Sequence, residues 1–206
     1  MYIPSLYRES DTEEMIAFMR HNAFATVVSV QDGAPAATHL PLSVSRHGDD
    51  ILLRGHFAKA NPQWRGFEES DTLVIFTGPH AYVSASHYDR EESVPTWNYL
   101  AVHASGRARL VDAADALTGL HELIDSNDAS YRSQWDSLSD RYRDGMLAGI
   151  VGFELPVARL EGKKKLSQNK SQAERERIAR SFESSTDSTI RATGHEMLRA
   201  LETDSE

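Results

Sequence analysis

The sequence of 206 residues contains no cysteine. A chain without thiols forms no disulfide framework, no thiolate metal site and no cysteine nucleophile, and it is compatible with a reducing compartment. The sequence also lacks any apolar run near the roughly 20 residues that a membrane helix needs. Its first residues, MYIPS, show neither the basic nor the apolar segment of a signal peptide. These absences predict a cytoplasmic protein that does not enter a membrane.

Positive charge is scarce as well. The chain has 22 lysines and arginines against 31 acidic residues, a formal net charge of −9 at pH 7. Because neutralisation of phosphates by Lys and Arg dominates nucleic-acid affinity, this balance argues against a general nucleic-acid binder. Residues 161–206 contain nine basic and nine acidic residues, so the net charge resides in residues 1–160. If any part of the chain binds DNA, we expect it to be the C-terminal part, which contains a lysine run at 163–165.

Signature motifs of several enzyme classes are missing. No Gly-x-Gly-x-x-Gly follows a predicted strand, and there is no Walker-type phosphate loop. The nine histidines include no pair with the spacing of a helical zinc site, and no Gly-x-Ser-x-Gly motif marks a serine nucleophile. Only convergence in three dimensions could unite His39, His56, His80 and His103 as ligands. We therefore expect no metal site and no Rossmann or P-loop fold.

Hydrophobic periodicity predicts strands in hairpin order with helices between them. An Asp32-Gly33 turn joins strands at 24–30 and 34–44, and Asn61-Pro62 starts a helix. Ser10 and Glu13 form a capping box for a helix over 11–21. The other predicted elements are strands at 51–56, 72–77 (ended or bent by Pro79), 99–111 and 149–160, helices at 113–126, 137–147, 171–182 and 187–201, and loops at 86–96 and 161–170.

This order of elements favours an antiparallel, mainly β fold with added helices, of the α+β class, over a parallel βαβ sheet. We expect a barrel domain over residues 1–160. Residues 161–206 are expected to form a loop and C-terminal helices packed on the same domain.

Polar, aromatic and small residues cluster at predicted strand ends and loops, where binding sites are commonly built. Lys59 precedes the helix start at Asn61, a position that suits an anion such as phosphate. Trp97 and Tyr99 could flank a planar ring, and residues 167–169 offer a row of hydrogen-bonding groups. Each also has a structural interpretation: an exposed loop lysine, core aromatic residues and a cap for the next helix.

Taken together, these clusters resemble the PaiB-type proteins, which are named FMN-binding negative transcriptional regulators. The segments that carry the resemblance are MYIPSLY at 1–7, ATHLPL at 37–42, GHFAKANPQW at 55–64, FTGPHAYVSASHY at 76–88, VPTWNYLAVHASG at 94–106 and KKLSQNK at 164–170. The resemblance implies a split β-barrel like that of pyridoxamine-phosphate oxidases and flavin reductases. It also implies a homodimer that binds FMN at the subunit interface, and a role in repressing genes.

The resemblance implies a set of cofactor-binding residues, while the catalytic residues stay unassigned. Lys59 and the helix start at Asn61, helped by His56, would neutralise the phosphate, and backbone groups near His39 and Leu40 would meet the isoalloxazine edge. The remaining implied contacts are Trp97 and Asn98 around the ring or ribityl chain, and Lys165, Ser167, Gln168 and Asn169 closing the same pocket.

The activity implied is flavin-dependent redox chemistry or sensing, with a reduced nicotinamide as electron donor if the protein is an oxidoreductase. Two alternatives stay open. One is a haem-binding or haem-degrading split barrel, in which a histidine would be the axial ligand. The other is a DNA-associated repressor that does not need flavin.

Overall fold

The computed structural model describes residues 1–31, 33–67 and 69–203. The chain folds into two compact units. The first unit comprises Met1–Met15, Thr77–Val102 and Glu161–Glu206, and the second comprises Ile16–Phe76 and His103–Leu160. Helix α1 (Thr12–His21) and strands β6 (Thr72–Val83), β7 (Thr96–Gly106) and β10 (Arg159–Lys165) contribute residues to both units. The predicted assignment of residues 1–160 and 161–206 stays a prediction.

Two groups of antiparallel strands form the second unit. Strands β2 (Phe24–Gln31) and β3 (Ala34–Pro41) pair as a hairpin, and β2 also pairs with β6. Gly33 turns the hairpin with a φ of +78°, a region open to glycine, whereas Asp32 lies outside the described residues. The other group has the order β4-β5-β9-β8, formed by β4 (Ser43–His47), β5 (Asp50–Ala58), β8 (Arg109–Leu110) and β9 (Ile150–Pro156).

Three phenylalanines form the centre of the second unit. Alternation along β5 buries Ile51, Leu53 and Phe57 on one face. Phe57 meets Phe67 and Phe153 with ring centroids 5.4 and 5.3 Å apart, and Phe67 and Phe153 are 5.1 Å apart. Such tilted and edge-on aromatic packing holds β5 and β9 in place, and with them the loop that follows β5.

Three helices follow β8 in the second unit: α2 (Ala113–Asp128), α3 (Tyr131–Ser137) and α4 (Asp140–Leu147). The Asp112 carboxylate caps α2 by accepting the N–H groups of Ala114 and Asp115. The predicted helix at 137–147 is shorter than expected because Ser139 caps α4 and separates it from α3.

The first unit contains β1 (Arg8–Glu9) and the strand order β1-β10-β7-β6, followed by helices α5 (Gln172–Glu183) and α6 (Ser188–Thr203). A capping box of Ser171 and Glu174 starts α5. Ile178, Ala179, Phe182 and Met197 are buried on these two helices, which confirms the two predicted C-terminal helices. No helix among the described residues is both long and apolar enough to cross a membrane.

Four local predictions need correction. Asp11, not Ser10, caps α1, since its carboxylate accepts the N–H groups of Glu13 and Glu14. Strand β6 continues through Pro79 to Val83, because proline removes one N–H donor while its fixed φ stays close to the extended region. The helix at Asn61 is a single short 3-10 helix, Pro62–Gly66. The lysine run at 163–165 belongs to β10, where Lys163 pairs with Arg8 of β1.

Candidate functional site

The predicted cofactor-binding residues divide between the two units. One group lies on β3, on β5 and in the loop that follows β5. The other group lies on β7, on β10 and in the loop between β10 and α5. The second unit holds His39, Leu40, His56, Lys59 and Asn61, and the first unit holds Trp97, Asn98, Lys165, Ser167, Gln168 and Asn169.

Lys59 lies in the loop after β5 with its side chain exposed. Its backbone N–H donates to the Gly149 carbonyl at 2.9 Å, which fixes the start of the loop. Among the described residues, no carboxylate forms an ion pair with the Lys59 ammonium group. An exposed and uncompensated ammonium on an anchored backbone suits an anionic ligand.

Both polar atoms of the Asn61 side chain form hydrogen bonds within the protein. Its amide nitrogen donates to Thr38 Oγ1 at 2.9 Å, and its amide oxygen accepts the N–H of Gln63 at 3.0 Å. Pro62 has no N–H, and the N–H of Gln63 is taken by Asn61. The Asn61 side chain and the N–H of Gln63 are thus already engaged within the protein, whereas no described residue binds the Lys59 ammonium group.

Gln63 is a supporting residue that sequence reasoning missed. Its side chain is 2% exposed. Its amide nitrogen lies 3.0 Å from the Val27 carbonyl and 3.1 Å from the Ala36 carbonyl, and its amide oxygen accepts from Thr38 Oγ1 at 2.6 Å. These contacts tie the Lys59 loop to β2 and β3. In the sequence, a glutamine beside Asn61-Pro62 is typical of an ordinary helix residue. Only the tertiary contacts of Gln63 show that it supports the Lys59 loop.

The histidines of the second unit differ in environment. Burial lowers the pKa of His56 from its usual value, so its ring is a neutral hydrogen-bonding group near pH 7 rather than a countercharge for phosphate. His39 is exposed on β3, its Nδ1 is 2.9 Å from Thr26 Oγ1, and its ring stacks on Phe24 at 6.2 Å. Leu40 pairs with Ala25 of β2 and is half-buried.

In the first unit, Lys165, Ser167 and Asn169 line a cavity of about 350 Å³. We call it the Lys165 cavity; its wall also includes Arg90, Thr96 and Lys170. A volume of this size lies within the range for small-molecule sites. The structure thus brings together three of the residues predicted at 165–169.

Lys165 is held by two acceptors. Its Nζ donates to Thr96 Oγ1, and to the Trp97 carbonyl at 2.8 Å. Burial, followed by the charge of Lys163, lowers the pKa of Lys165. An ammonium group has three N–H donors, so the protonated group keeps one that is not used by these two acceptors.

Asn98 and Gln168 support this part of the chain without lining the Lys165 cavity. Asn98 is fully buried, accepts the Ser167 hydroxyl at 3.0 Å and donates to Met197 Sδ at 3.2 Å. Gln168 accepts the N–H of Leu166 and donates to the Lys164 carbonyl, both at 2.7 Å. It lines a different cavity, of about 570 Å³, beside Lys164. Neither side chain is placed as a direct contact of a ligand in the Lys165 cavity.

Trp97 presents an aromatic surface to solvent. Its side chain is 52% exposed, and its ring meets Tyr82 edge-on at 5.8 Å. The ring of His80 lies 6.1 Å away. An exposed indole braced by other rings can accept a planar ligand on its face.

Tyr88 belongs to one of the polar and aromatic clusters of the sequence, but sequence reasoning assigned it no role. It is 8% exposed and lines the Lys165 cavity. The Lys170 ammonium lies 3.6 Å from its ring centroid, a cation–π contact. Burial, then the charge of Glu174, raises the pKa of Tyr88. Its place in the segment SASHY gave no sign of either contact.

The chain matches proteins of known family. Residues 1–159 match the family described as "Putative FMN-binding domain". The sequence is 42% identical over 177 residues to the "Protease synthase and sporulation protein PAI 2" of Bacillus subtilis, covering 84% of this chain and 85% of that protein.

Two solved structures share the fold. The flavocytochrome Anf3 from Azotobacter vinelandii has a TM-score of 0.61 at 19% identity, covering 77% of this chain and 69% of that one. The FAD and heme binding protein from Mycobacterium smegmatis has a TM-score of 0.61 at 18% identity, covering 77% and 73%. At such identities the likeness shows the fold alone, and it confirms the predicted α+β split-barrel class. The family match and the relative in Bacillus subtilis show that this chain belongs to the FMN-binding domain family, among the PaiB-type proteins.

Proposed function

We propose that this protein holds the phosphate of FMN at Lys59 and uses the flavin for redox chemistry or sensing. The observation that carries the proposal is the exposed Lys59 ammonium, which has no carboxylate partner among the described residues of a chain from an FMN-binding family. The loop that presents it is fastened by Asn61 and Gln63. An ammonium group on a backbone anchored in this way stabilises a bound phosphate by charge-assisted hydrogen bonding.

His56 complements Lys59 in a different way. Because burial lowers its pKa, the His56 ring stays neutral near pH 7 and contributes a hydrogen bond instead of charge. We assign His39 and Leu40 to the ring edge and Trp97 to the ring face. Bound FMN supplies electron transfer, and the chain's own residues bind it, orient it and exclude water. The electron donor that we propose is a reduced nicotinamide.

An absorption spectrum from 300 to 600 nm tests the proposal, recorded after addition of FMN and removal of free ligand. We expect Lys59→Gln to weaken FMN binding by at least about tenfold. Arg141→Gln, which removes one exposed positive charge from α4, is the matched control and should retain FMN. Equal retention by both variants would place the phosphate elsewhere, and no retention by the unaltered protein would remove the cofactor proposal.

We also propose that the protein is a homodimer. Tyr82 and Trp97 are 51% and 52% exposed and their ring centroids lie 5.8 Å apart, and contiguous exposed apolar surface commonly marks interfaces. Light scattering during size-exclusion chromatography measures the mass directly. A monomer at micromolar concentration would contradict this proposal while leaving the flavin proposal standing.

A regulatory role is proposed from the similarity to PaiB-type proteins. It predicts sequence-selective DNA binding that weakens steeply with salt, and gel-shift assays with and without FMN would separate flavin-dependent from flavin-independent repression.

Haem remains the second cofactor candidate, because two structures of the same fold are named as a flavocytochrome and a haem-binding protein. A Soret band after addition of haem would support it. Cytoplasmic localisation stays a prediction.

A further inference from the structure

The first unit contains two charged cavities that differ in how their charges are paired. In the cavity of about 570 Å³, Lys164 Nζ lies 2.6 Å from Glu9 and 3.3 Å from Glu14. Arg199 lies 3.6 Å from Glu14 and 3.0 Å from Glu196. Lys164 and Arg199 in this cavity are therefore paired with carboxylates of the protein itself.

The positive charges that line the Lys165 cavity are not paired with carboxylates in this way. Arg90, Lys165 and Lys170 line it, and Glu92 is the one acidic residue among the described residues of its wall. None of the three cations forms an ion pair with a described carboxylate. Lys163, 8% exposed, adds a buried ammonium group close enough to Lys165 to affect its ionisation. The cavity thus concentrates positive charge in a chain whose net charge is −9.

Two of these cations are held in fixed positions. Lys165 Nζ is anchored by Thr96 and the Trp97 carbonyl, and one N–H remains beyond those two acceptors. Lys170 is held over the Tyr88 ring at 3.6 Å. The charge of Lys170 helps to lower the pKa of Glu174, so this carboxylate offsets part of that charge without forming an ion pair with Lys170. Because neither cation is anchored by an anion, both keep their charge available for a ligand.

The rest of the wall combines apolar and hydrogen-bonding surface. Tyr7, Tyr88, Val94 and Pro95 supply rings and aliphatic carbon, and Ser93 and Asn169 supply polar groups. Cations next to such a surface select an anion that also carries a carbon skeleton, since burial of its apolar part adds to the charge attraction.

We propose that the Lys165 cavity binds a small organic anion other than the flavin, a carboxylate or a phosphate ester on a ring or short chain. The acidic group accepts hydrogen bonds from Lys165 and Lys170, and the carbon skeleton lies against Tyr88 and Pro95. This ligand site goes beyond the proposed flavin function and does not depend on Lys59, and it assigns Lys165, Ser167 and Asn169 to a ligand other than the flavin whose pocket the resemblance predicts that they close.

Isothermal titration calorimetry of the FMN-loaded protein tests the proposal with benzoate, phenyl phosphate and inorganic phosphate. We expect at least one organic anion to bind more tightly than inorganic phosphate. Lys165→Met and Lys170→Met should each weaken that binding by about tenfold or more, since each removes a charge-assisted hydrogen bond. Lys164→Met removes the neighbouring charge on β10, which faces the other cavity, and should leave the affinity unchanged.

Several results would overturn the proposal: no binding at millimolar concentration, equal binding of all three anions, or unchanged binding in both the Lys165 and the Lys170 variants. Flavin absorbance followed in the same titrations separates the two ligands. Release of FMN by the anion would assign the cavity to the flavin and overturn this inference. Anion binding by a protein that never retains FMN would support the inference and contradict the proposed flavin function. If Lys165→Met does not fold, Lys170→Met provides the decisive variant, since Lys170 is only half-buried.

Discussion

The Ser167 hydroxyl donates a hydrogen bond of 3.0 Å to the Asn98 amide oxygen, and both side chains are buried. The bond joins residues 69 positions apart in the sequence. Ser167 also has a φ of +63°, a left-handed backbone conformation that residues other than glycine rarely adopt. A buried contact therefore holds the loop that follows Lys165 in an otherwise unfavourable conformation.

Ser167→Ala should destabilise the protein by about 1–3 kcal/mol, because it leaves the buried Asn98 oxygen without its donor. Ser167→Gly removes the same hydroxyl but relieves the left-handed conformation, so it should be milder by about 1 kcal/mol. Urea denaturation measures both values. A glycine variant less stable than the alanine variant would contradict the account of the backbone.

Gln63→Leu should destabilise the second unit and weaken FMN binding together, since it cuts the contacts that hold the Lys59 loop on β2 and β3. We expect a loss of about 1–3 kcal/mol from the polar groups left unpaired. Thermal unfolding and FMN titration provide the two measurements. Gln134→Leu, at an exposed position on α3, is the matched control. Unchanged FMN affinity in a folded Gln63 variant would show that the loop needs no such anchor.

The free energy of unfolding should decrease as the pH falls below about 6.5. Burial lowers the pKa values of His56 and His121, so in this range the unfolded chain takes up protons that the folded chain does not. The stability that these groups contribute is present above the unfolded pKa and is lost as the pH falls through the folded pKa.

Urea denaturation between pH 5 and pH 7.5 gives the slope of stability against pH. His56→Asn should reduce that slope relative to the unaltered protein. An identical slope in the variant and the unaltered protein would show that His56 does not contribute to the pH dependence.

Trp97→Leu should leave stability within about 0.5 kcal/mol, as is usual for exposed positions, and should lower the affinity for FMN by removing a stacking surface. Tyr142→Leu, which replaces a 54% exposed aromatic side chain on α4, is the control. Flavin fluorescence titration measures both variants. An unchanged flavin affinity would remove Trp97 from the predicted ring contacts.

Local signals in the sequence determined much of the fold. The β2–β3 hairpin follows from alternating side chains, with Gly33 in its turn, and Asn61 caps the next helix as its side chain and the following proline predict. The helices α5 and α6 follow from their apolar periodicity. Each of these features depends on residues a few positions apart, whose geometry is fixed by backbone sterics and short-range hydrogen bonds.

The sequence by itself therefore determined the antiparallel α+β class and the main elements, and it predicted the segments of the cofactor site. Only the tertiary structure decided that Asn98 and Gln63 are buried supports, that Gln168 and Lys165 line different cavities, and that residues 163–165 form a strand. A run of three lysines shows no alternation of apolar and polar residues, so the sequence pattern does not predict a strand there. The run can still form a strand, because a lysine packs its methylene groups in the fold while its ammonium group reaches a distant partner. Those partners lie far away in the sequence: Lys163 donates to Tyr2 and Lys165 to Trp97, so only the folded chain brings them together.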